Sequence, residues 1–250
     1  MGSCFADRIG KRFDDERFPV KVNPYGVMYN PVSVMHTLER DEWKEVRGEK
    51  PLFSTAVLTF GTNHVYIEKA TGEVVDNCQK RPQRLFEERI LSVDECADSI
   101  SKSISLLRQH NPDINIILTV SPIRYAKYGY HGSQLSKATL LLAIEKVVKE
   151  LKIFYFPAYE IVNDELRDYR FYNPDMLHPS DQTVEYIWER LVETCFSNEA
   201  KKYLDEWKPV KEALRHRPFN PDSEEYKEFM QKTQEKLRVI SNKYPTFAGK

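Results

Sequence analysis

At 250 residues, with 41% apolar and 12% aromatic content, the chain can bury one sizeable core without dividing into several domains. Lys and Arg total 37 against 38 Asp and Glu, a formal charge of -1, so no global field draws it onto nucleic acid or an anionic membrane surface. Cys4, Cys78, Cys96 and Cys195 are widely spaced and include no Cys-x-x-Cys pair, which reads as reduced thiols rather than a compact zinc site.

Taken in chain order, Gly2-Ser3-Cys4-Phe5-Ala6 runs into a short helix with Phe5, Ile9 and Phe13 on one face. Asn23-Pro24-Tyr25-Gly26 and Tyr29-Asn30-Pro31 form a turn-rich loop. Ser54 to Phe60 predicts a strand ending at Gly61, and His64 to Glu68 with Glu73 to Asp76 flank Thr71-Gly72 as a hairpin-like excursion. Ser92-Val93-Asp94-Glu95 has capping-box spacing, and Val93, Cys96, Ile100, Ile104 and Leu107 follow at helical intervals.

Ile114 to Val120 is a nearly continuous apolar run ending in Ser121-Pro122, as in a buried parallel strand, and Ile153 to Phe156 is a second. Between them Ser136 is expected to precede a helix with the stripe Leu140, Leu141, Ile144, Val147, Val148 and Leu151. Strand, helix, strand is the repeating unit of an α/β fold. Ser180 is expected to cap a helix with the apolar face Val184, Ile187, Trp188, Leu191 and Val192.

After Phe196 the composition turns rich in Lys and Glu. Breaks are expected at Pro209 and Pro218-Phe219-Asn220-Pro221, with a restart at a second capping box, Asp222-x-x-Glu225. Tyr226, Phe229, Met230, Leu237 and Ile240 form the expected buried face of the last helix. These patterns predict residues 1–197 as an α/β body and 198–250 as a helical extension packed on it. No basic segment followed by an apolar run opens the chain, and no stretch nears the roughly 18 apolar residues of a membrane span. A cytoplasmic protein is expected.

The sharpest chemical signal is Asp175-Met176-Leu177-His178. An Asp three residues before a His on a loop can bind one imidazole nitrogen and leave the other free to take a proton. Taken alone, a turn-forming Asp beside a surface His is the simpler reading. Ser3, next to a glycine at a helix start, has the setting of an activated nucleophile, and equally that of a plain N-cap. Cys4 is a weaker candidate, because no basic neighbour depresses its pKa. Gly26, Asn63 and Asn77 offer N–H groups for a developing oxyanion, with turn roles as the alternative.

Gly2 to Ala6, Asn-Pro-x-Gly followed by Tyr-Asn-Pro, Leu-Thr-Phe-Gly-Thr, Val120 to Arg124, Ser136-Lys137-Ala138, Tyr155 to Ser180, and His216 to Pro221 together resemble, in order, the GSCFA family, which is grouped with the SGNH (GDSL-like) hydrolases. That resemblance covers nearly the whole chain. It implies a flavodoxin-like, three-layer, mostly parallel sheet, and a triad of Ser3, Asp175 and His178. Ser3, Gly26 and an Asn would share the oxyanion, and Asn63 fits the Gly-x-Asn spacing. It further implies an O-acyl ester substrate, possibly on a carbohydrate, cleaved without metal or organic cofactor. Transfer of the acyl group by the same triad, or carbohydrate binding without turnover, are the alternatives.

The chain departs from the family pattern at Gln79 and Tyr125, where histidines are expected, and at Ser133, where an Asn is. Only Met1 and Gly2 precede the nucleophile, so the first strand is expected to be missing and Ser3 to hang on a loose terminus.

Overall fold

A computed structural model of the chain describes all residues except 41, 42, 45, 48, 49, 246 and 248–250. Two compact units form, one from Met1–Ile9 with Lys21–Ile187, the other from Gly10–Val20 with Trp188–Lys250.

The first unit is α/β. Thr55–Phe60 (β3) pairs in parallel with Asn115–Val120 (β7), which pairs in parallel with Phe154–Tyr155 (β8). Both apolar runs are thus strands, with Leu58, Phe60, Leu118 and Val120 fully buried. Val46–Arg47 (β1) and Lys50–Pro51 (β2) pair antiparallel. The expected hairpin is His64–Glu68 (β4) with Val74–Val75 (β5), extended by Phe86–Ile90 (β6) on the other edge of β4. β6 escapes the sequence reading because Glu87, Glu88 and Arg89 interrupt any apolar alternation.

Cys4–Asp15 (α1) and Pro31–Glu39 (α2) precede the sheet, and α2 is capped by the Asn30 side chain accepting from Ser33 N at 2.9 Å. Val93–His110 (α3) starts on the expected capping box, with Ser92 Oγ accepting from Glu95 N and the Glu95 carboxylate accepting from Ser92 N. Its stripe Cys96, Ile100, Ile104 and Leu107 is buried against α2 and Gly129–Leu151 (α4). Ala158–Glu160 (α5) runs on into a π-helical turn over Ile161–Leu166.

Helix α4 corrects one expectation. It begins at Gly129, and Ser136 lies inside it. The Ser136 hydroxyl does not cap, because it bonds Thr62 Oγ1 at 2.9 Å and accepts from Asn63 N at 3.0 Å. A serine cap is a local option that tertiary partners can outcompete. Asp181–Cys195 (α6) begins as expected, with Ser180 Oγ accepting from Thr183 N at 3.3 Å.

In the second unit, Asn198–Arg215 (α7) and Glu224–Lys243 (α8) pack together. Pro209 does not break α7 but sits within it. Proline removes one donor and strains one turn, and here the helix is long enough to run through that fault. Ser223, not Asp222, caps α8, accepting from Tyr226 N at 3.2 Å. Only Thr233 and Ile240 of α8 are fully buried, and Phe229 is exposed, so the expected apolar face is thinner than its pattern implies. An aromatic cluster of Phe13, Phe18, Trp188, Phe196 and Tyr203 fills the unit, and buried Glu16 is neutralised by Arg12 at 2.9 Å and Lys211 at 2.5 Å. Among the described residues no helix is long and apolar enough to cross a membrane.

Candidate active site

The Asp175–His178 segment is a closed loop. Asp175 Oδ1 accepts from Leu177 N at 2.8 Å and His178 N at 3.0 Å, while Oδ2 bonds His178 Nδ1 at 2.6 Å. Met176 takes a left-handed φ of 60° to allow this. The backbone N–H of His178, then that of Leu177, then the imidazole hold the Asp175 carboxyl down at about 2, so it is an anion throughout the neutral range. A carboxylate at that distance makes Nδ1 the protonated nitrogen and leaves Nε2 with a lone pair. Asn173 N donates to His178 O at 2.8 Å, and Arg124 N donates to Leu177 O at 3.0 Å, tying the loop to the segment that leaves β7.

Ser3 is held on the neighbouring strand. Met1 N donates to Val57 O at 2.7 Å, Thr59 N to Met1 O at 2.9 Å and Ser3 N to Thr59 O at 3.3 Å, so residues 1–3 run parallel to β3. Met28 N donates to Gly2 O on the other side. The expected loose terminus is therefore not found: Ser3 is fully buried, because β3 supplies a backbone ladder to which even three residues can attach. Its Oγ lies 3.1 Å from Thr59 Oγ1 and accepts from Phe5 N at 3.3 Å, which caps α1. Ser3 and the His178 loop both attach where the adjacent strands β3 and β7 end, but Ser3 Oγ bonds Thr59 and Phe5 rather than His178. The Cys4 thiol is pushed up by burial, so this rival carries little thiolate.

The three proposed oxyanion donors lie apart in their bonding. Gly26 has the left-handed φ of 93°, and its N–H donates to Asn23 O at 2.8 Å. Asn63 is buried with Nδ2 donating to Leu91 O at 2.8 Å. Asn77 is exposed, and its Oδ1 accepts from Gln79 N. Among the described residues no group of three or more His, Cys, Asp or Glu side chains is placed to hold a metal ion.

Sequence reasoning missed Lys137. It is 2% exposed, and its Nζ donates to Gly61 O at 2.6 Å and Ser121 O at 2.7 Å, the carbonyls just beyond β3 and β7. Burial alone lowers its pKa from 10.5 to about 7. The available signal was position: Lys137 falls on the same helical stripe as Leu140, Ile144 and Val147. It borders a cavity of about 220 Å³ that also takes in Arg124, Tyr125, Tyr159 and Leu177. Leu177 joins that cavity to the His178 loop, although neither Ser3 nor His178 lines it.

The buried lysine makes stability depend on pH. Between about 7 and 10.5 the unfolded chain holds a proton on Lys137 that the folded chain does not, so folding grows more favourable as pH rises across that window. Measured against Lys137→Met, which cancels the other titrations, the native chain is expected to gain ~1.4 kcal/mol per pH unit there in denaturant unfolding. A difference that stays flat with pH would refute this.

An α/β chain with a carboxylate-oriented histidine and a strand-anchored serine is the class of protein these features define. A family model, GSCFA family, matches residues 1–55 and 52–191, and a second, GSCFA domain protein, C-terminal domain, matches residues 207–250. The chain belongs to the GSCFA family. A search of curated proteins finds no match. Among solved structures the chain is similar to a carbohydrate esterase family 3 protein from Talaromyces cellulolyticus, at 11% identity and TM-score 0.39, covering 71% of this chain and 69% of that one. It is also similar to an acetyl xylan esterase from the rumen bacterium Butyrivibrio proteoclasticus, at 15% identity and TM-score 0.32, covering 56% of this chain and 35% of that one.

Proposed function

We propose that this chain is an SGNH-type serine esterase that cleaves an O-acyl ester through Ser3, His178 and Asp175. The observation that carries the reading is the 2.6 Å pairing of Asp175 Oδ2 with His178 Nδ1, which fixes the tautomer and leaves Nε2 as a proton acceptor. In the proposed reaction Nε2 takes the Ser3 proton as Oγ attacks the ester carbonyl carbon. The tetrahedral intermediate collapses, His178 returns the proton to the departing alcohol, and an acyl-enzyme remains. Water, deprotonated by the same nitrogen, then releases the acid.

Two local changes are part of the proposal. Ser3 Oγ exchanges its Thr59 partner for His178 and becomes accessible, since it is buried in this structure. Gly26 or Asn63 stabilises the oxyanion only by exchanging its present acceptor, Asn23 O or Leu91 O. A fluorophosphonate tests the nucleophile directly. It is expected to modify the peptide bearing Ser3 in the native chain and to leave His178→Ala unmodified. An adduct on another residue, or none, would count against the triad.

A further inference from the structure

We propose that the cavity beside the His178 loop is a subsite for a ring bearing one anionic group, most simply an acidic sugar unit of the substrate. Its lining holds two basic side chains, the Arg124 guanidinium and the Lys137 amine, and no carboxylate. Among the described residues neither basic group has an acidic partner: Arg124 Nη1 donates to Met176 O at 3.0 Å, and Lys137 Nζ to two strand-end carbonyls. Lys137 Nζ also faces the rings of Tyr125 and Tyr159 at 5.1 Å and 5.7 Å, and a bound anion would favour its protonated form. A partly buried guanidinium without a counter-ion is incompletely solvated, and an anionic ligand relieves that cost.

The remaining lining fits a sugar ring. Tyr130 and Tyr169 are largely exposed at the rim, and the Arg124 guanidinium lies 4.9 Å and 5.4 Å from their ring centres, which orients the flat faces a pyranose stacks against. Tyr125 Oη is buried without a hydrogen-bond partner, a donor available to a ring hydroxyl. Tyr125 Oη and Lys137 Nζ both converge on Gly61, two residues beyond the Thr59 that holds Ser3. A ligand seated there therefore lies beside the end of β3, and Leu177 places it next to His178.

The proposal deepens the esterase reading by naming its substrate class, yet it is tested by binding alone. Titration calorimetry of the full chain and of Ser3→Ala with D-glucuronate, glucose 6-phosphate and D-glucose separates the cases. One or both anions are expected to bind at least ~10-fold tighter than glucose, in both proteins, and the better of them identifies carboxylate or phosphate. Arg124→Gln is expected to weaken the anion ~10-fold or more while leaving glucose binding and the circular dichroism spectrum unchanged. Glucose binding as tightly as both anions, no saturation with any of the three, or an unaltered anion affinity in Arg124→Gln would overturn it. Failure of fluorophosphonate labelling leaves this binding result standing, so the two proposals fail separately.

Discussion

Ser3→Ala is expected to lower turnover of an aryl acetate by ~10³-fold or more, with the circular dichroism spectrum preserved. The hydroxyl is the only atom removed. Its structural duties are modest: it caps α1 through Phe5 N and bonds Thr59 Oγ1. Losing a serine cap costs about 0.5–2 kcal/mol, which lowers the melting temperature by a few degrees and leaves the chain folded. Under the proposed mechanism the catalytic loss is far larger, because an esterase without its nucleophile retains only binding and oxyanion stabilisation. Cys4→Ala is the matched control and is expected to keep native turnover, since burial keeps that thiol protonated. Equal rates for native chain and Ser3→Ala would reject Ser3; a collapse in Cys4→Ala alone would move the chemistry one residue along.

Gly2→Ala is expected to be more damaging to structure than Ser3→Ala and as damaging to turnover. Gly2 has φ 136°, and a Cβ there would stand 2.0 Å from Thr59 O and 2.8 Å from Thr59 Oγ1. A backbone carbonyl inside a paired strand cannot step aside as a flexible side chain can. The segment must lift off β3 instead, carrying Ser3 with it. Backbone strain and overpacking together put the cost at ~2–5 kcal/mol, read as a fall in unfolding free energy. Gly72→Ala isolates the strain, because Gly72 also has a positive φ, 73°, but its added Cβ meets nothing within 4 Å. That variant is expected to lose ~1 kcal/mol and no activity. Native stability in Gly2→Ala would show that Ser3 is not held by the close approach of Gly2 to β3.

What could be read from the sequence was what neighbouring residues decide among themselves. The Ser92–Glu95 capping box closes within four residues, and the Ile114–Val120 run declares a buried strand by composition, so both appear where expected. The Asp175–His178 pair is legible for the same reason, its two members being three residues apart. Ser136 and Asp222 fail as caps because the decision lay elsewhere: Ser136 is claimed by Thr62 and Asn63, and Ser223 wins the cap of α8. Asn63 has the spacing of an oxyanion donor, but its amide meets a carbonyl, Leu91 O, that no local pattern announces. Lys137 was hidden most completely. Its place on the apolar stripe is a local signal, but the two strand-end carbonyls that it meets are set by the sheet.

The single turn of α4 that holds Ser136 and Lys137 acts as a common datum for two different exits from the sheet. Lys137 grips the chain just after β3 and just after β7, and Ser136 grips Thr62 and Asn63 one step further on. From the first exit the chain departs toward the β4–β5–β6 sheet; from the second it departs toward Arg124 and the loop that carries His178. Both departures are thus measured from one short length of helix. A change in the length of either excursion therefore leaves the other where it is, as long as that turn of helix holds both exits.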